Sequence, residues 1–237
     1  MATYLWGPEQ RLIVPTPETA FLMHDDDSGR CQMFQVGIPE LALVNFVKQF
    51  SSPDSIFVDG GAHMGVYSIL LADSFKQVYA FEPQNRTYFQ LCGNIFINEK
   101  HNIVPHAAAL TDFADVRTLS IVSDDGGGST LEATPEKVKS TLEVRTCALD
   151  DYTLENIGLI KLDVEGSEYK ALLGAKRSLE ASNYPPIVFE SNNHPWYSDS
   201  KDTLFKYLTS LNYSIAQIQP FTNMYLALQE KDQLKSN

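Results

Sequence analysis

Cationic side chains are scarce in this sequence: 18 Lys and Arg stand against 30 Asp and Glu, a formal net charge of -12 over 237 residues. A field of that sign repels phosphate backbones and anionic bilayers, so neither a nucleic acid nor a membrane is expected as a partner. Cysteine is also rare. Cys31, Cys92 and Cys147 are far apart and odd in number, with no C-x-x-C pair; this argues against a disulfide framework or zinc site and predicts a reduced, cytoplasmic protein. No apolar run approaches the ~20 residues that span a bilayer. The first residues lack a basic region followed by an apolar run, so no signal peptide is expected. Internal repeats are absent. Two phosphate-binding fingerprints are missing as well: no G-x-G-x-x-G opens a helix, and no G-K-[ST] closes a glycine-rich loop.

What is present is a hydrophobic fraction of 43% with 11% aromatics, enough for a sizeable core in a chain of this length. From Ser55 onward short apolar runs alternate with helical periodicity. Strands are expected at Ile56–Val58, Val78–Phe81, Asn102–His106, Leu159–Asp163 and Ile187–Phe189. Helices are expected at about 64–74, 86–98, 168–181 and 201–211. Continuous apolar strands separated by helices predict a parallel α/β sheet covered on both faces. A final pair of runs, Tyr213–Ile218 and Met224–Leu228, reads as a hairpin and supplies one antiparallel strand. Two further runs, 117–122 and 142–146, interrupt the rhythm around the glycine-rich loop Asp124–Thr130.

Residues 1–50 differ. They carry β-like runs at Arg11–Val14 and Ala20–Met23, the acidic turn Asp25–Gly29, the run Cys31–Val36 and a helix after Pro39, and read as an extension or lid packed on the core. The main domain is expected over 51–230, followed by a frayed polar tail over 231–237.

The strongest local signal is Phe57-Val-Asp-Gly-Gly-Ala-His-Met-Gly65, a strand running through Asp59, Gly60, Gly61, Ala62, His63 and Gly65 into a helix. Glycines let a ligand approach the backbone, and the helix N-terminus favours an anion. The carboxylate of S-adenosylmethionine (SAM) suits this loop, with Asp59 accepting its ammonium group. A purely structural turn is the alternative. Glu82 and Pro83 end the next strand on the same edge. A carboxylate there can take both ribose hydroxyls, in NAD as in SAM, or can simply cap the following helix.

Two more strand ends carry chemistry. In Ile160-Lys-Leu-Asp-Val-Glu-Gly166, alternation puts Lys161, Asp163 and Glu165 on one side. Three charges on an otherwise apolar strand are costly unless its end opens into a site, although an ion pair plus a cap would also account for them. Phe189-Glu-Ser-Asn-Asn-His-Pro-Trp-Tyr197 joins an acid, amides, an imidazole and two aromatics. His194 or Asp163 is the candidate general base, with Lys161 and Glu165 orienting it and Glu190 beside it. A divalent cation on Asp163, Glu190 and Asn192 is an open variant, since magnesium favours oxygen ligands.

Taken together, Val58–Gly65, Phe81-Glu-Pro83, Ile160–Gly166, the Asn94…Asn98 helix end and Ala148-Leu-Asp-Asp-Tyr152 resemble the FkbM-type methyltransferases. The resemblance implies a class I methyltransferase fold, a Rossmann-like sheet with one antiparallel strand. It implies SAM as donor and a hydroxyl acceptor. By motif match it makes Asp59, Gly61, Gly65 and Glu82 cofactor residues, and Asp163 and Glu165 active-site residues; where the family has Asn, this chain has His63. The expected activity is O-methylation of a sugar hydroxyl on a glycan or glycosylated metabolite. A polyketide or other small-molecule hydroxyl is the alternative. An NAD-dependent oxidoreductase and a non-catalytic binding module are the readings from other classes.

Overall fold

A computed structural model describes residues 3–4, 10–16, 19–24, 33, 37–38, 40–123, 127–132, 138–192 and 195–229. After three N-terminal strands, β1 (Thr3–Tyr4), β2 (Gln10–Thr16) and β3 (Thr19–His24), comes α1 (Leu41–Lys48). The α/β alternation then begins with β4 (Ile56–Gly60), α2 (Val66–Leu71), β5 (Gln77–Phe81), α3 (Asn85–Ile97) and β6 (Ile103–His106). An insertion of β7 (Ala109–Leu110), β8 (Asp115–Ile121) and β9 (Ser140–Cys147) follows. The chain finishes with β10 (Ile157–Leu162), α4 (Glu168–Leu173), α5 (Lys176–Ala181), β11 (Ile187–Glu190), α6 (Pro195–Ser210), β12 (Tyr213–Gln217) and β13 (Met224–Gln229).

The central sheet has seven strands in the order β12-β13-β11-β10-β4-β5-β6. β4, β5, β6, β10 and β11 pair in parallel, while β13 runs antiparallel to both β11 and β12. This is the mostly parallel sheet with one antiparallel strand that the sequence predicts. Side chains alternate across it: Phe57, Leu159 and Val188 join one core cluster, and Val58, Ile160, Ile187 and Phe189 the other. Both faces are therefore buried, which is why these strands are apolar without a polar stripe. Each fully buried Phe or Leu of these layers contributes ~1.5–3 kcal/mol.

One helix differs from expectation. The 168–181 periodicity predicts a single helix, but the structure divides it between α4 and α5. At the break, a side chain on Gly174 would lie 2.1 Å from the Thr111 carbonyl oxygen. Asp150 then begins α5, accepting from the backbone N–H groups of Arg177 at 3.0 Å and Ser178 at 2.8 Å. A tertiary contact and a distant cap thus override a continuous apolar period.

The N-terminal strands dock through amides. Asn94 Oδ1 accepts from Leu22 N at 2.6 Å, and Asn98 exchanges two bonds with the Ala20 backbone at 2.9 and 2.7 Å. One helical turn between the two asparagines matches the two-residue repeat of β3, so α3 partners the strand's open edge. Asn94 Nδ2 also donates to Met64 O at 2.9 Å, tying β3 to the glycine loop. Phe21 and Met23 are fully buried in one cluster with Leu43, Val44 and Met64. The acidic turn 25–29, the 31–36 run except Met33, and the 231–237 tail lie outside the described residues.

Candidate active site

Strand order reverses between β4 and β10: β5 and β6 continue to one side of β4, β10 and β11 to the other. Loops leaving the two strands diverge there and open a crevice at their carboxyl ends. A cavity of about 360 Å³ occupies it. Its floor is the glycine loop Gly61–Met64; Phe81, Glu82 and Pro83 line one side, and Lys161, Asp163, Val164 and Glu165 the other. Gly61 has φ +73°, and a side chain there would lie 1.9 Å from Asp163 O, so no other residue permits the loop to pass so close to β10. Gly65, at φ +94°, would place a side chain 2.6 Å from Leu91. Gly60 and Gly65 do not themselves line the cavity. Gly65 shapes the turn through its left-handed backbone, and Gly60 packs where a side chain would meet Leu162 and Leu110.

Glu82 is 6% exposed and lines the cavity. Each of its oxygens accepts one backbone N–H, from His63 at 3.0 Å and from Gln84 at 2.9 Å. Burial pushes its carboxyl above the ordinary range, while His63 and these two bonds oppose the shift. The carboxylate is thereby fixed in orientation, with lone pairs remaining for two hydroxyls. Ala62 and His63 line the same floor, His63 in a left-handed backbone conformation of φ 52°.

Asp59 is placed differently from expectation. It is 0% exposed and absent from the cavity wall. Its Oδ2 accepts from Ser68 Oγ at 2.6 Å, and its Oδ1 lies 3.5 Å from Lys161 Nζ. β4 and β10 are in register here, with Asp59 opposite Lys161, and it is the lysine that lines the cavity. Lys161 in turn donates to Gly61 O at 3.2 Å and pairs with Asp163 Oδ2 at 3.5 Å. Burial works to lower the ammonium, but Asp163, Asp59 and Glu40 outweigh it and hold Lys161 above its usual value. Lys161 thus joins the glycine loop to two carboxylates at ion-pair distance and orients them, while Asp59 Oδ1 stays buried with no hydrogen-bond partner among the described residues.

Beside the cavity, Asp163, Glu165 and Glu190 bring carboxylate oxygens within 4.8 Å of one another. Alternation along β10 does not explain Glu165; it reaches this cluster from a turn, at φ 53°. Glu190 Oε1 accepts from Asn223 Nδ2 at 2.6 Å, and its Oε2 is buried with no hydrogen-bond donor among the described residues. Burial and the charges of Asp163, Glu165 and Glu168 push Glu190 up to about 9, so it keeps its proton at neutrality. Glu168 is fully buried under the same turn and pushed up by burial to about 8, against N–H bonds from Val164 and Gly166. For the cation variant, Glu165 joins Asp163 and Glu190. Asn192 shares a donor with Glu190: Asn223 Nδ2 lies 3.4 Å from Asn192 Oδ1 and 2.6 Å from Glu190 Oε1. His194 lies outside the described residues, as do the side chains of Trp196 and Tyr197.

Several contributors escape the motif reading. The β8–β9 insertion supplies Leu119, Gly127, Gly128, Ser129 and Leu131 to the cavity wall. This strap is fastened by Gly128 N to Glu165 Oε1 at 3.1 Å, Thr130 Oγ1 to Glu165 O at 2.6 Å, and the Lys170–Glu132 pair at 2.8 Å. The glycine-rich composition of the Asp124–Thr130 run marks a loop in the sequence but not its position over the cavity. Glu40 and Tyr67 also line the cavity, with no local motif to announce them.

A family model for the FkbM methyltransferase domain matches residues 59–215, well over half of the chain. The chain belongs to the FkbM methyltransferase family. It is accordingly a SAM-dependent methyltransferase with a class I fold. Among solved structures, an FkbM methyltransferase from Methylobacillus flagellatus superposes with a TM-score of 0.52 at 21% identity, covering 74% of this chain and 44% of that one. This FkbM chain thus spans under half the length of the Methylobacillus protein. An rRNA methylase from Streptococcus thermophilus matches at a TM-score of 0.51 and 16% identity, covering 81% and 96% of the two chains. A Streptococcus mutans protein in complex with S-adenosylhomocysteine matches at 0.52 and 14%, covering 82% and 100%. At these identities the likeness concerns the fold. A search of the curated proteins finds no match. No helix among the described residues is long and apolar enough to cross a membrane.

Proposed function

We propose that this methyltransferase acts on a hydroxyl oxygen, and that its acceptor is a sugar hydroxyl of a glycan or glycosylated metabolite. The observation that carries this reading is the trio Asp163, Glu165 and Glu190 beside the cofactor cavity, whose carboxylate oxygens lie within 4.8 Å of one another. An alcohol is a poor nucleophile whose proton must leave as its oxygen attacks. In the transfer, the O–C bond forms as the methyl C–S bond breaks, and the bonding pair returns to sulfur as the neutral thioether. The hydroxyl proton passes to Asp163, which Lys161 orients at 3.5 Å. Asp163 and Glu165 line the cavity and offer carboxylate oxygens that accept hydrogen bonds from neighbouring hydroxyls. Alignment and exclusion of water supply much of the remaining acceleration.

A polyketide or other small-molecule hydroxyl would use the same proton acceptor and is the second reading. RNA, the substrate class named for the Streptococcus thermophilus relative, is opposed by the net charge of -12 and by the carboxylates gathered beside the cavity. The test is methyl transfer from labelled SAM to panels of glycans, polyketides, peptides and RNA. Transfer to glycans is expected. Transfer to polyketides alone would move the assignment to the second reading, and transfer to RNA or peptide alone would overturn the hydroxyl-edge argument altogether.

A further inference from the structure

Asp59 is buried and does not line the cavity, so an ammonium group entering there meets other carboxylates first. The end of the cavity bordered by β10 has an unbalanced charge. Among the described residues, Asp59, Asp163 and Glu40 act on one ammonium, that of Lys161, which donates to Gly61 O and pairs with Asp59 and Asp163 at 3.5 Å each. Glu82 lies across the glycine loop, at the β5 end. The loop thus separates a carboxylate suited to ribose from an anionic pole suited to a cation.

At that pole Tyr67, 6% exposed, donates its hydroxyl to Glu40 Oε2 at 2.8 Å. Burial and the neighbouring Glu40 hold the phenol far above its ordinary range, so it remains a donor. Lys161 Nζ lies 4.9 Å from the centre of the Tyr67 ring and fixes its face. Glu40 lines the cavity, and its other oxygen takes no hydrogen bond among the described residues. Its backbone is left-handed, φ 55° and ψ 20°, at the start of α1, where its carbonyl oxygen receives Leu43 N and Val44 N. A residue needed only for that turn would be glycine or asparagine, since other side chains pay ~1–2 kcal/mol in this region. Glutamate at this position therefore points to a requirement of the side chain rather than of the turn.

The geometry points to Glu40, held by Tyr67, as the carboxylate that binds the α-ammonium group of SAM. The N-terminal segment then completes the cofactor site as well as covering it. This inference rests on the family's cofactor and is independent of which acceptor is methylated.

The test is calorimetry on the full chain with two probes: S-adenosylhomocysteine, and 5′-methylthioadenosine, which keeps the adenine, ribose and thioether but lacks the amino-acid end. Glu40→Gln should weaken S-adenosylhomocysteine about 10-fold or more and leave methylthioadenosine within about 2-fold, since one charge-assisted bond is lost from one end only. Tyr67→Phe should show the same split at smaller size. Melting curves on both variants confirm that they fold, and Glu40→Gln should melt as the parent does because the residue is exposed. Equal weakening of both probes, or unchanged binding of both, would overturn the assignment. A parent protein that binds neither probe would instead overturn the cofactor site itself.

Discussion

Lys161 of β10 and Asp59 of β4 are in-register neighbours on adjacent parallel strands, and their charged atoms lie 3.5 Å apart with side chains only 5% and 1% exposed. Removing one member of such a pair leaves the other buried and uncompensated. Lys161→Ala is therefore expected to cost about 3–5 kcal/mol of stability, read as a lower urea midpoint. Asp59→Asn combined with it should cost less than the two single losses together, because they share one interaction. Additive losses would show that the two groups act independently.

Glu82 is expected to dominate cofactor affinity from the β5 side. Its orientation is fixed by His63 N and Gln84 N before any ligand arrives. Glu82→Ala should weaken S-adenosylhomocysteine by at least about 10-fold in calorimetry, and the ligand should raise the melting temperature of the parent more than that of the variant. Equal affinities would remove the ribose assignment.

Asp163 is expected to act in turnover rather than in cofactor binding. Asp163→Asn should keep the Lys161 contact in shape and lower kcat by ~100- to 10,000-fold, the range for loss of a general base. The affinity for S-adenosylhomocysteine should change far less. Because a proton on Glu190 can hold the trio of carboxylates together, dialysis against EDTA should leave turnover intact. Activity that vanishes and returns with magnesium would place a cation there instead.

Stability should depend on pH in a direction set by Glu190 and Glu168. Both are raised in the folded protein, to about 9 and about 8, against ~4.3 in an unfolded chain. Between those limits the native state holds protons that the unfolded state releases. Their contribution is present in full below about pH 4.3 and is lost as pH rises through 8 and 9. Melting temperature should therefore fall between pH 6 and 9.5, and Glu190→Gln should flatten the upper part of that slope. A melting temperature that climbs over the same interval would contradict the assigned directions.

Much of this protein is written locally. Apolar runs of strand length, helical periodicity and the glycine turn after Asp59 each depend on residues a few positions apart, so the α/β order and the strand ends bearing Glu82, Asp163 and Glu190 are legible without coordinates. The reversal of strand order that opens the cavity depends on which strands pair, and no local pattern specifies that. Other features depended on contacts between distant segments. Gly174 divides one periodic helix because it touches Thr111. Asp59 looks like a ligand residue in its motif, yet register with Lys161 buries it behind the wall. Glu165 joins Asp163 and Glu190 through a left-handed turn that alternation cannot foresee. Glu40 reaches the cavity with no local pattern to mark it, and the glycine-rich 127–131 strap is legible as a loop but not as part of the cavity wall. Sequence alone determined which strand ends carry carboxylates, because propensity and periodicity act over a turn or a pleat. Only the tertiary structure decided which of those carboxylates face the ligand, because burial and charge pairing are set by neighbours tens of residues away.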